Sequence, residues 1–473
     1  MSEYLSPGVF IEDLPTPPVH EVASNSVGGF VGIAQRGEIG KPIFISSWNA
    51  FITHFAYGME SPFIANSDLA YAVYGFFQNG GKKCYVLRVA HSEAAVAKTT
   101  GDLVIEAKDA GTWGNKLKIT ITANDIVTTN FDIKVTLDTE EVEVLRNLSN
   151  TVGAENYWID VVDTKSYFIK GVSGTLTVKE ATALSGGLDG IDKIADTDYT
   201  NALTKFDSIE DINLLCVPGQ TSEAVNKAIM TYCENRRDVF AILDAPEAST
   251  VESVLTLRKT MSCKNAALYF PWIKVSDPLS KNGKLRSCPT CGHVMGVYAR
   301  IIDERGAWKV PAGTEAVVRG AIEVVRSLTS DNINKLNPAG IVSVIPKNNY
   351  GIVLWGARSL HPDSSMKYIS DNLLDIHIKK KAFLETQQYV FEPNDSTTWT
   401  RVSATVQSIL DNLWRDGALQ GATAKEAYYV KCDADLNSAD VRSAGKLICE
   451  VGYANKKPAE FVVFRFSHNI AAN

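Results

Sequence analysis

Ile212-Asn213-Leu214-Leu215-Cys216-Val217, Val239-Phe240-Ala241-Ile242-Leu243 and Ala266-Ala267-Leu268-Tyr269-Phe270 are three short apolar runs that do not alternate with polar residues. Strands of that kind are buried on both faces. Between the first two, Val225, Ala228, Ile229 and Tyr232 recur at helical spacing, and a second helix is expected around 251–257. Strand–helix–strand–helix–strand with such strands predicts an α/β domain built on a parallel sheet covered by helices on both sides.

Working outward, Val27-Gly28-Gly29-Phe30-Val31-Gly32-Ile33-Ala34 reads as another buried strand of small residues. A helix follows, capped by Asn66 or Ser67, with Leu69, Val73, Phe76 and Phe77 on one face. It ends at Asn79-Gly80-Gly81, and Cys84-Tyr85-Val86-Leu87-Arg88-Val89 is the next strand. From about 98 to 184 the texture changes to Thr-rich runs of period two: Ile119-Thr120-Ile121-Thr122, Phe131 to Leu137, and Thr175-Leu176-Thr177-Val178. These predict an inserted antiparallel module with one face in water, closed by Leu184-Ser185-Gly186-Gly187-Leu188-Asp189-Gly190. Beyond 360, Leu373, Ile376, Phe383 and Leu384 mark one helix, and Val402, Val406, Ile409, Leu410 and Leu413 mark a second that stops near Gly417.

The chain has 473 residues, enough for two or three domains. Its formal charge of −7 argues against a surface built to neutralise a phosphate backbone, so no direct nucleic-acid partner is expected. No signal-peptide pattern and no apolar run of membrane-spanning length is visible, and no direct membrane contact is expected. Eight scattered cysteines suit a reducing cytoplasm better than a disulfide scaffold.

Candidate chemistry is sparse. Cys288-Pro289-Thr290-Cys291-Gly292-His293 has half the spacing of a zinc knuckle and the spacing of a thiol-redox pair. A structural zinc needs four ligands, and no second such pair exists, so a Pro/Gly turn with incidental cysteines is the main reading. No G-x-S-x-G and no phosphate-cradling P-loop occurs. Catalytic residues, a metal and a cofactor are all expected to be absent, and the chain is read as a non-enzyme. Lys379-Lys380-Lys381 reads as a solvated helix face, or as a contact with an acidic partner.

The two ends differ from the body. Val9, Phe10, Ile11 and Glu12 lie in a short strand-like stretch followed by the stiff spacer Pro15-Thr16-Pro17-Pro18, which cannot turn back as a tight hairpin. Phe461-Val462-Val463-Phe464-Arg465-Phe466 is apolar on both faces, and a free edge of that kind must be covered. It is either an edge strand of the chain's own sheet or a strand donated to a neighbour. The remaining distinctive residues form turn blocks: Lys309-Val310-Pro311-Ala312-Gly313, Leu336-Asn337-Pro338-Ala339-Gly340-Ile341, Leu354-Trp355-Gly356-Ala357-Arg358, Phe391-Glu392-Pro393-Asn394-Asp395 and Pro458-Ala459-Glu460-Phe461-Val462-Val463.

In these blocks, with Tyr4 to Glu12, Phe30 to Gly37, Phe76 to Val89, Ala299-Arg300 with Arg305 to Gly313, and Glu426 to Asp433, the chain resembles the contractile tail sheath proteins of phages and phage-tail-like injection systems. The resemblance covers the chain from end to end apart from the β insertion. It implies a subtilisin-like parallel-sheet core without protease activity, and a C-terminal α+β domain completed by terminal strand exchange. The division it suggests is an arm at 1–22, a discontinuous core at 23–97 and 190–358, an inserted outer β domain at 98–189, a C-terminal domain at 359–456 and a linking strand at 457–473. It implies hexameric rings stacked around an inner tube, contraction that drives the tube through an envelope, and assembly in the bacterial cytoplasm. The implied partners are further copies of the chain, the tube protein, and baseplate and tail terminator proteins. The helices at 371–390 and 400–416 are candidates to face the tube, through Lys379, Lys380, Arg401 and Arg415. Where the family has a Pro-Pro-Ser-Gly-like loop this chain has Cys288 to Gly292, so no metal role there follows from the resemblance. A hydrolase-like enzyme and a monomeric binding module are the alternatives from other classes.

Overall fold

The computed structural model describes residues 26–361 and 366–461. Its centre is a mixed sheet of eight strands: β1 (Val27–Gly32), β2 (Pro42–Ile45), β3 (Lys83–Arg88), β4 (Leu214–Cys216), β5 (Phe240–Asp244), β6 (Ala266–Phe270), β7 (Ile341–Lys347) and β8 (Gly351–Trp355). Their order is β8-β7-β6-β5-β4-β1-β3-β2. The six inner strands run parallel, and only the edge strands β2 and β8 pair antiparallel.

The two faces of β5 show why its sequence does not alternate. Phe240 and Ile242 belong to the core on one side of the sheet, Ala241 and Leu243 to the core on the other, and all four are buried. Burying each large side chain of this kind contributes about 1.5–3 kcal/mol. The first face is covered by α1 (Leu69–Gln78) and α2 (Cys291–Arg305); the second by helices Asp196–Leu203, Glu223–Arg236 and Val251–Arg258.

Helix α2 is nearly all buried and was not expected from the sequence, where the Cys-x-x-Cys spacing suggested a turn through Gly292. Gly292 lies inside the helix. A Cβ there would meet the Ala72 backbone at 2.4 Å, and one at Gly296 would meet Phe76 O at 2.4 Å. These glycines let α1 and α2 cross with their backbones in contact.

Residues 104–183 carry their own apolar core and a four-stranded antiparallel sheet, ordered Glu140–Leu148, Phe131–Leu137, Leu117–Ala123, Lys179–Ala183. The strand expected at 175–178 is displaced to Lys179–Ala183. The Asn150 side chain bonds both N and O of Leu176, so that backbone is satisfied without a ladder. Arg36, buried just after β1, joins this unit to the main sheet: its guanidinium pairs with Asp109 at 3.3 Å, donates to Tyr167 O, and lies 4.0 Å from the Trp113 ring.

The last part contains α3 (Ile369–Thr386), α4 (Ser396–Arg415) and a two-stranded ribbon, Tyr428–Lys431 with Glu450–Tyr453, around a fourth core. Helix α4 starts at Ser396 because Asp395 accepts from the N–H groups of Thr397 and Thr398. Leu373 and Ile376 of α3 are buried as expected, but Phe383 and Leu384 are exposed and lie off the buried stripe.

Candidate assembly site

Four of the five turn blocks converge on one open groove of about 920 Å³, lined among others by Val310, Gly313, Asn337, Pro338, Trp355, Ala357 and the segment Pro458 to Phe461. The turns are made by glycines in the left-handed region, Gly313 at φ +89° and Gly340 at φ +78°. They bring together residues far apart in the chain.

At the centre of the convergence is Glu460. Arg358, two residues after the Trp355-Gly356 end of β8, grips its carboxylate in two places: Nε donates to Oε1 at 2.9 Å and Nη2 to Oε2 at 2.7 Å. Asn337 Nδ2, from the turn that leads into β7, donates to Oε1 at 2.9 Å, and Tyr368 OH, just before α3, donates to Oε2 at 3.4 Å. Both charged side chains are mostly buried, at 13% and 11% exposure. Burial pushes the Glu460 carboxyl up, but the hydrogen bonds from Arg358 and Asn337 and the Arg358 charge outweigh it and hold it below its ordinary value. Two-point Arg–carboxylate pairs combine strength with fixed orientation.

The same segment is tied a second time. Lys457 pairs with the fully buried Asp371 of α3 at 2.7 Å. Tyr453 OH, at the end of the ribbon, donates to Asp375 Oδ1 at 2.7 Å, while Lys379 and Lys264 pair with the other oxygen of Asp375. Immediately past Glu460, Phe461 is 73% exposed.

The other residues singled out in the sequence fall elsewhere. Val9, Phe10, Ile11 and Glu12, and Val462, Val463 and Phe464, lie outside the described residues. Lys380 does not lie on a solvated face. It is buried, its Nζ donates to Ile212 O at 2.9 Å, and burial lowers its pKa to about 8. Lys379 and Arg401 are exposed; Arg415 is exposed and pairs with Asp411 at 2.7 Å. Phe391, in the one block outside the groove, is fully exposed and has φ +72°, unusual for a bulky residue.

Cys288, Cys291 and His293 are buried in the main core. Cys291 opens α2, where the N–H groups of Thr290 and Cys291 both donate to Asp244 Oδ1 at 2.9 Å. His293 packs against Gly75, and burial lowers its pKa to about 4, which keeps the ring neutral. Among the described residues no three His, Cys, Asp or Glu side chains are grouped to hold a metal ion.

Sequence reasoning missed the Glu460 site. The available signal was a charged residue inside each of two otherwise apolar blocks, Arg358 and Glu460, but nothing local pairs residues 102 positions apart.

Comparison with known families matches residues 192–360 to the phage tail sheath protein central domain and 364–468 to the phage tail sheath C-terminal domain, together more than half of the chain. The chain belongs to the contractile tail sheath protein family. It is 26% identical over 298 residues to a protein named as a prophage major tail sheath protein of Pseudomonas aeruginosa strain UCBPP-PA14, spanning 62% of this chain and 71% of that one. It is also 26% identical over 341 residues to the tail sheath protein of Salmonella phage ViI, spanning 66% of this chain and 50% of the relative. In fold, the sheath chain is similar to the sheath of an extracellular contractile injection system, PVC, in its contracted state. There the TM-score is 0.63 at 20% identity, with 99% of each chain covered. The groove blocks of Asn337, Arg358 and Glu460 all lie within the matched sheath domains.

Proposed function

We propose that this chain is the repeating subunit of a contractile sheath, stacked as hexameric rings around an inner tube and linked to neighbouring copies by exchanged terminal strands. The observation that carries this reading is the Glu460 clasp. It fixes the C-terminal segment to the core up to residue 460 and leaves Phe461 exposed. The sequence that follows, Val462-Val463-Phe464-Arg465-Phe466, is apolar on both faces. The ribbon of the C-terminal part supports the same reading: two strands alone are marginal, and added strands would complete a sheet there.

On this reading the core has a subtilisin-like layout, 98–189 is an outer inserted domain, and 359–456 is the unit that receives neighbouring strands. Head-to-tail contacts between identical copies build open helical arrays. Contraction is a rigid-body change from a metastable packing to a lower one, held behind a kinetic barrier, with no nucleotide required. Lys379, Arg401 and Arg415 remain the candidates to face the tube, whereas Lys380 is better assigned to holding α3 on the core. Baseplate and tail terminator proteins bound the array, and assembly takes place in the bacterial cytoplasm.

Deleting 462–473 tests the reading. The expected result is a folded chain of unchanged melting temperature that forms no tubes under the electron microscope. Sheaths of normal length from the truncated chain overturn the linking role.

A further inference from the structure

Two of the eight cysteines stand apart from the rest. Six are buried in the cores, while Cys432 and Cys449 are partly exposed at the open end of the C-terminal ribbon. The ribbon pairs Tyr428 with Tyr453, Val430 with Val451 and Lys431 with Glu450, so the next register position sets Cys432 directly opposite Cys449. Ala454 N donates to Ala427 O at 2.9 Å. Counting from that bonded pair, Cys432 and Cys449 fall at a non-hydrogen-bonded position, where opposite Cα atoms approach to about 4.5 Å. That separation lies within the span a disulfide bridges. Each thiol perturbs the titration of the other, as expected of neighbours.

A buried side chain holds them there. Asn437 accepts from Ile448 N at 2.7 Å and donates to Ile448 O at 2.9 Å and Asp433 O at 3.0 Å. It thus ties the residue after Cys432 to the residue before Cys449.

We propose that Cys432 and Cys449 form a cross-strand disulfide, made when the protein meets a small-molecule disulfide oxidant in an oxidising medium, which closes the loop 433–448. In the first step one thiolate attacks the oxidant, leaving a mixed disulfide and releasing one small thiol. In the second, the other cysteine's thiolate attacks the protein-side sulfur and releases the second small thiol. Two protein thiols lose two protons and two electrons, and the oxidant is reduced to two thiols. The six buried cysteines stay reduced because the oxidant cannot reach them. Burial raises both reacting thiols above their ordinary range, Cys449 to about 12, so the exchange quickens as pH rises. The bond needs no neighbouring subunit, so it stands or falls apart from the assembly reading.

The test is to treat the purified full-length chain with oxidised glutathione at about pH 8.5, then denature it, alkylate it and map its peptides without reduction. The expected result is six alkylated cysteines, one linked peptide pair carrying Cys432 and Cys449, and a melting temperature above that of the reduced chain. The double variant Cys432→Ser with Cys449→Ser should lose no thiols and melt at the same temperature in both conditions. Eight alkylated thiols, stable glutathione adducts, a link between two chains, or pairing with any other cysteine overturns the proposal.

Discussion

Asp244 and Glu460 are both carboxylates that join distant elements, and they are held in opposite ways. Asp244 closes β5 inside the core, where it meets the backbone N–H groups of Thr290 and Cys291 and the Cys291 thiol but no cation. Burial dominates, and its pKa is pushed up to about 7 despite those donors. Glu460 sits at a groove mouth, gripped by a guanidinium and an amide, and its pKa is held down. The first arrangement is a permanent part of the α/β core. The second is a joint, strong while charged and sensitive to anything that removes the charge.

The largest test of this contrast is Glu460→Ala, which leaves Arg358 mostly buried without its counter-ion, a cost of about 2–4 kcal/mol borne by the segment's attachment. Trypsin should cut after Lys456 much faster, with little change in global melting; unchanged cleavage there would show that the clasp does not hold the segment. Next is Asp244→Ala, which strips the acceptor from two buried N–H groups at the start of α2. A loss of about 1–3 kcal/mol in global stability is expected, read by chemical denaturation. At low pH, where the parent carboxyl is also neutral, Asp244→Asn should stay within about 1 kcal/mol of the parent, because the amide oxygen still accepts both bonds.

The two sites also differ in the sign of their pH dependence. A carboxyl raised in the folded state favours folding at low pH. The Asp244 contribution therefore falls as pH rises from the ordinary carboxylate range to about 7. Glu460 is lowered, so its contribution is present above that range and is lost as pH falls through its folded value. Subtracting the Asp244→Asn stability profile from that of the parent should isolate the first slope. A flat difference would remove Asp244 as its source.

The parallel sheet was legible because β4, β5 and β6 are apolar on both faces, a pattern that few other arrangements produce. Helix α2 was not: its glycines lower helix propensity and its cysteines suggested a different chemistry, although Gly292 and Gly296 have the spacing of a close helix crossing. The edge strand Pro42–Ile45 is four residues long and begins with proline, which removes most of its local signal. Of the candidate site, the blocks were visible and their turn chemistry correctly explained, but not their meeting. Lys380 was misread because a lysine run looks solvated until a neighbouring carbonyl, here that of Ile212, is in place to receive one of its members.

The crossing of α1 and α2 has one more consequence. At Gly292 and Gly296 the two helices touch main chain to main chain, and no rotatable side group lies between them there to be squeezed. A push delivered to one side of the sheet then travels through as movement of the whole block, with little of it absorbed as internal give.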